Sequence, residues 1–130
     1  MKLLVDTHVW LWILTTPERL CDGARSAITD DENEAILSAV SAWEVAIKYA
    51  LGKLPLSMPP AELVDVSVRE LRLTVLPIAL DHALAAGALP PHHRDPFDRM
   101  LIAQAQLEGL TLVTADETIR QYGGALLWAV

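Results

Sequence analysis

Cysteine is almost missing from this chain of 130 residues: Cys21 stands alone, which excludes an intramolecular disulfide and makes a reducing, cytoplasmic compartment the expectation. Basic residues are also few. Ten Lys and Arg face 17 Asp and Glu for a net charge of −7, which argues against a protein that coats nucleic acid through a basic face but leaves a catalytic encounter open. Aromatic residues make up 5%, and they do not interleave with basic ones as a base-stacking surface would require. Long apolar runs are absent: the stretches at 9–14 and 83–89 fall far short of the roughly 18 residues of a membrane helix. The opening Met1-Lys2-Leu3-Leu4-Val5 is interrupted by Asp6 and His8 before it reaches signal-peptide length, so it reads as a buried strand of a soluble protein. There is no internal repeat, no low-complexity segment and no linker.

What the chain does have is apolar content, 52% of its residues, in a length typical of one domain. A single domain over residues 1–130 is expected, with a folded surface of about 6,800 Å² and roughly two thirds of the unfolded surface buried. Such apolar content suits a sheet covered on both faces.

The apolar run at 3–5, ended by Asp6-Thr7, predicts a strand followed by a helix that stops before Pro17. A helix over 22–29 and a strand over 35–37 follow, joined by an acidic, solvated turn at 30–34. Ser41-Ala42-Trp43-Glu44 has capping-box spacing and predicts the start of a helix that closes at Gly52. Pro59-Pro60 opens a helix through Leu71, and residues 73–76 form a strand. A short helix covers 80–88, and Asp95-Pro96-Phe97-Asp98 begins a strong helix that ends at Gly109. A strand at 110–114, a short helix from Asp116 and a last strand at 126–128 complete the series. Alternating strands and helices specify an α/β fold with a parallel sheet of four to five strands.

Each acid of interest has a bland reading when taken alone. Asp6 ends a strand, Glu44 completes a capping box, Asp95 is an N-cap, and Asp98 and Asp116 suit helix starts. Together they say more. Strand C-termini and helix N-termini share one edge of an open parallel sheet, so Asp6, Glu44, Asp98 and Asp116 converge there. Four clustered carboxylates repel one another unless a cation neutralises them, and oxygen-only donors select Mg²⁺ or Mn²⁺ over zinc. Such a centre suits phosphodiester hydrolysis. Arg94 and Arg99 read equally as phosphate contacts or as solvated charges, whereas Lys48 reads as the i,i+4 partner of Glu44. His92-His93 lacks the spacing of a helical metal pair, which leaves it a loop role. The four tryptophans are assigned to core or interface.

The blocks Val5-Asp6-Thr7-His8-Val9-Trp10, Ser41-Ala42-Trp43-Glu44-Val45-Ala46-Ile47-Lys48, His93-Arg94-Asp95-Pro96-Phe97-Asp98-Arg99-Met100-Leu101 and Leu112-Val113-Thr114-Ala115-Asp116 resemble, in content and order, the PIN-domain family and its VapC-type toxins. That resemblance implies a PIN-like three-layer α/β/α fold and a metal-dependent endoribonuclease acting as the toxin of a toxin–antitoxin pair. It implies that Asp6, Asp98 and Asp116 hold Mg²⁺ or Mn²⁺, with Glu44 binding the ion or positioning water. Asp95 is a ligand, an N-cap, or both. Thr7, Ser41 and Thr114 support the acids from behind. The implied partners are an RNA substrate, a second copy of the chain, and an antitoxin with a basic, apolar tail, for which Trp10 and Trp12 offer a groove. His8 departs from the Ser or Asn of many relatives, and its role stays open between substrate contact and helix start. A haloacid-dehalogenase-like phosphotransferase needs a second acid where His8 stands, and a receiver domain needs paired acids after the first strand. The remaining alternative is a catalytically silent module that binds a basic peptide.

Overall fold

In the computed structural model, which describes residues 1–130, the chain threads β1 (Lys2–Val5), α1 (Thr7–Thr15), α2 (Asp22–Thr29), β2 (Glu34–Ser38), α3 (Ala39–Ala50) and α4 (Pro60–Leu71). It continues through β3 (Thr74–Leu76), α5 (Leu80–Ala88), α6 (Pro96–Glu108), β4 (Thr111–Thr114) and β5 (Leu126–Trp128), with 3-10 turns at Pro17–Arg19 and Glu117–Tyr122. The five strands run parallel in the order β3-β2-β1-β4-β5. Strand order therefore moves outward from β1 to β3 and then returns to the other side of β1. The switch point lies between β1 and β4, where Leu3, Leu4 and Val5 register against Thr111, Leu112 and Val113.

Side-chain alternation divides the core between the two faces. Leu3, Val5, Ala35, Leu37 and Val113 pack with Val9, Trp10, Ala24, Ile28, Val45 and Leu63 from α1 to α4. Leu4, Ile36 and Leu112 pack on the opposite face with Val40, Leu101, Ile102, Ala105 and Ile119. This is the expected three-layer α/β/α arrangement, and both faces of the central strands are dry. The folded surface, 6937 Å², agrees with the value expected for this mass. No helix is long and apolar enough to cross a membrane.

Two expectations need correction. The helix carrying Glu44 starts earlier than its apparent capping box: Ser38 is the N-cap, its Oγ accepting the Val40 N–H at 3.1 Å. Ser41 and Glu44 are thus inside the helix. The Ser38 hydroxyl also donates to Oε1 of the fully buried Gln104 at 2.6 Å, so one side chain caps α3 and ties it to α6. Secondly, Trp10 is completely buried, its indole N–H donating to Ser67 Oγ at 3.0 Å. It is a core residue, and only Trp12 remains partly exposed on α1.

Candidate metal centre

Asp6 follows β1 at the switch point and caps α1. Its Oδ1 accepts the His8 N–H at 3.1 Å and its Oδ2 accepts the Thr114 hydroxyl at 2.7 Å. Thr114 Oγ1 in turn accepts the Asp116 N–H at 3.1 Å, so one hydroxyl links the ends of β1 and β4. Asp116 caps the 3-10 turn through Oδ1, which accepts the Thr118 N–H at 2.8 Å, leaving Oδ2 directed elsewhere. Asp98 lies in the first turn of α6, where Asp95 Oδ1 accepts the N–H groups of Phe97 and Asp98 at 2.8 and 3.3 Å. Asp95 is therefore the N-cap.

Glu44 reaches the same centre from the second turn of α3. It is buried, Lys48 Nζ donates to its Oε2 at 2.5 Å, and its Oε1 has no hydrogen-bond partner. Thr7 and Ser41, expected behind the acids, bond to each other instead, Oγ1 to Oγ at 2.8 Å, and so join the starts of α1 and α3. His8 is exposed, with Nδ1 3.9 Å from Asp6 Oδ1.

The electrostatics show how crowded the site is. Burial raises the Asp6 carboxyl above the usual range despite its bonds from Thr114 and His8. Asp98 is pushed up to about 7, first by burial and then by the charges of Asp6 and Asp95, with Glu44 adding to them. Burial opposes ionisation of Asp116 too, but donation from His93 and Thr118 outweighs it and holds that carboxyl below its usual value. The hydrogen bond to Glu44 raises the Lys48 ammonium above its ordinary value, reinforced by Asp95 and Asp98.

His93 is the member that the sequence did not single out. Its Nε2 lies 2.9 Å from Asp98 Oδ2 and 2.9 Å from Asp116 Oδ2, bridging the two carboxylates. Burial lowers the charged form of the ring, but the bond to Asp116 and the charges of Asp98, Asp116 and Asp95 more than compensate, and its pKa rises. Arg99 also has a clear structural role. Its guanidinium donates to the carbonyls of Pro90, His93, Ala86 and Leu89 at 2.8–3.2 Å, holding the 89–93 loop over α6. Arg94, by contrast, is exposed.

A divalent cation fits these residues. The donors are hard oxygens from Asp6, Asp98, Asp116 and Glu44, burial and the neighbouring carboxylates together push the Asp98 carboxyl up to about 7, and the buried Glu44 Oε1 lacks a partner. The His93 ring nitrogen and the Asp98 and Asp116 carboxylate oxygens also lie within 4.8 Å of one another.

Comparison with known proteins gives the family and the fold. The PIN domain matches residues 3–125. Ribonuclease VapC22 of Mycobacterium tuberculosis (strain ATCC 25618 / H37Rv) is 31% identical over 121 residues, which is 92% of this chain and 91% of that protein. Ribonuclease VapC16 of the same organism is 45% identical over 62 residues, 48% of this chain, and the match spans only 43% of its own length. Among solved structures, VapBC2 from Rickettsia felis bound to a DNA fragment from their promoter shares the fold, with a TM-score of 0.74 at 14% identity and 100% of both chains covered. The family match across nearly the whole sequence and the full-length likeness to VapC22 establish that this chain belongs to the PIN-domain family.

Proposed function

We propose that this protein is an endoribonuclease that depends on Mg²⁺ or Mn²⁺ and acts in the cytoplasm as the toxin of a toxin–antitoxin pair. The observation that carries this reading is the convergence of the buried Asp6, Glu44 and Asp98 with the half-buried Asp116 at the switch point, with one Glu44 oxygen unpartnered. The names of its relatives, ribonucleases VapC16 and VapC22, and the VapBC complexes that share its fold point the same way.

Asp6, Asp98 and Asp116 would hold the ion, with Glu44 as a further ligand or the group that orients water. A bound ion would supply activation of that water and stabilisation of charge on the phosphate and the leaving oxygen. The chain's own residues prepare for this. Thr114 fixes the rotamer of Asp6, Lys48 occupies one Glu44 oxygen so that the other faces the centre, and the N-cap at Asp95 sets the register of Asp98. Because Arg99 is taken up by carbonyls, Arg94 is the cation offered to the RNA backbone. The partner is an antitoxin whose basic, apolar tail binds beside the acids, and a second copy of the chain covers exposed apolar surface.

Asp6→Asn removes a charge with little change of shape. RNA cleavage in Mn²⁺ is expected to fall to background in this variant, and in wild type on adding excess EDTA, while the circular dichroism spectrum stays native. Cleavage that persists in EDTA refutes the metal-dependent reading.

A further inference from the structure

We infer that His93 is a positioning residue of the acidic centre, locked as a hydrogen-bond donor that holds Asp98 and Asp116 together and keeps the ligand set purely oxygen. The inference rests on the proposal that these carboxylates bind a divalent cation, and it concerns a residue whose type would otherwise suggest direct ligation.

The argument comes from where each hydrogen-bonding group of His93 goes. The Asp95 N–H donates to His93 Nδ1 at 3.2 Å. Above its raised pKa the ring is neutral; the Asp95 N–H then takes the Nδ1 lone pair, and the ring proton resides on Nε2. This same Nε2 lies 2.9 Å from one oxygen of Asp98 and 2.9 Å from one oxygen of Asp116. The Nε2–H donates to Asp116 Oδ2, and Asp98 Oδ2 lies against the same nitrogen as an ion-pair contact. For His93 to ligate through Nε2, its proton would have to move to Nδ1, where it would point at the Asp95 N–H, donor against donor. The alternative, ligation through Nδ1, is blocked by that same amide.

The ring cannot readily turn to escape this arrangement. The backbone N–H of His93 donates to Tyr122 Oη at 2.7 Å, and the Tyr122 hydroxyl donates to the Pro90 carbonyl at 2.7 Å. The His93 carbonyl accepts from Arg99 Nη1 at 3.2 Å. Main chain and ring nitrogens together are thus tied to the loop before α6, to α6 itself and to the 3-10 turn after β4. His93 spans the gap between Asp98 on α6 and Asp116 after β4, two carboxylates that no strand pairing holds together. A ligand carboxylate steered by an outer hydrogen bond commonly loses 10–100-fold in metal affinity when that bond is removed. The same locked tautomer denies zinc the imidazole nitrogen it favours.

The test uses the full chain with Mn²⁺ as probe. Histidine nitrogens of the ¹⁵N-labelled wild-type protein are observed by NMR in EDTA, and Mn²⁺ affinity is measured by titration calorimetry for wild type, His93→Phe and His93→Gln. Pulsed electron paramagnetic resonance of the Mn²⁺ complex reports any directly bound imidazole nitrogen. The expected results are an Nε2–H signal for His93, no nitrogen coupling of ligand size, and Mn²⁺ affinity about 10–100-fold weaker in His93→Phe. Glutamine offers an amide oxygen to Asp95 and an amide N–H to the carboxylates, so His93→Gln regains part of that loss. Ligand-sized nitrogen coupling, an Nδ1–H signal, or unchanged affinity in His93→Phe overturns the inference while leaving the cation proposal standing. If wild type binds no Mn²⁺, the cation proposal itself fails and this inference falls with it. Should His93→Phe unfold, the wild-type NMR and resonance readouts decide alone.

Discussion

Among individual residues, Asp98 carries the clearest energetic consequence. Its carboxyl titrates near pH 7 in the folded protein but near 3.8 when unfolded, so between those values the native state binds a proton that the unfolded chain has released. The stability linked to this proton is fully present below about pH 4 and is lost as pH rises through 7. Asp6 has the same sign, whereas the lowered Asp116 contributes stability that disappears as pH falls. We therefore expect Asp98→Asn, measured by thermal unfolding in EDTA, to melt above wild type at pH 8 by clearly more than it does at pH 5. Each kcal/mol regained corresponds to roughly 3–5 °C at this chain length. An equal difference at both pH values would contradict the titration account. The four acids were legible in the sequence because they sit at predictable places, directly after strands or near helix starts. His93 was not, because its role depends on a loop whose path is fixed by Arg99 and Tyr122, partners 6 and 29 residues away. Arg99 illustrates the converse: an arginine beside catalytic acids suggests phosphate, yet here its planar fork satisfies loop carbonyls, a task lysine cannot reproduce. Accordingly, Arg99→Lys is expected to weaken Mn²⁺ binding and stability together. A change confined to the salt dependence of RNA binding would instead restore the phosphate-contact reading.

At the scale of elements, the helix with the clearest punctuation was read best. Residues 22–29 and 80–88, and the start of α6 behind Asp95-Pro96, emerge as expected because caps and prolines act locally. The start of α3 did not, because two serines compete for the N-cap and only tertiary structure decides between them. Ser38 prevails: it is the last residue of β2, and its hydroxyl serves Val40 and Gln104 at once. The consequence is functional as well as structural. A start at Ala39 places Glu44 in the second turn of α3, where its buried carboxylate adds its charge to those of Asp6 and Asp98. Ser38→Ala removes the cap and leaves the amide oxygen of buried Gln104 without its donor. A loss of about 2 kcal/mol is expected by urea unfolding, combining a typical capping loss with part of a desolvation cost. Gln104→Leu in the same background should cost less than it does alone, since the two side chains share one bond. Purely additive losses would show that Ser38 and Gln104 act independently.

For the whole molecule, the outstanding feature is an acidic centre in a chain that still exposes large apolar side chains. Leu80 and Leu84 on α5 are 77% and 68% exposed, and Trp43, packed edge-on against Phe97, is 57% exposed. This is the face proposed for the second copy, and if the chain dimerises there, light scattering should find Leu84→Asp monomeric and folded where wild type is dimeric. The antitoxin has a different task. A competent acid cluster amid cellular RNA needs a cationic inhibitor, and an arginine can bridge two carboxylates through its fork where lysine offers a single point charge. Asp98 and Asp116 are suited to that fork because His93 already sets their spacing. With Trp10 sealed in the core, the apolar part of the tail must bind along the partly exposed side of α1, where Arg19 lies 4.4 Å over the Trp12 ring. The expected outcome is a complex in which a basic side chain bonds to Asp6, Asp98 or Asp116 and excludes Mn²⁺. Calorimetry checks it directly: antitoxin affinity should fall as Mn²⁺ is added, and neutralising the three acids as Asn should weaken binding and abolish that competition. Affinity that ignores both Mn²⁺ and the three substitutions would mean that inhibition works by covering or distorting the site, with no cation in the carboxylate cluster.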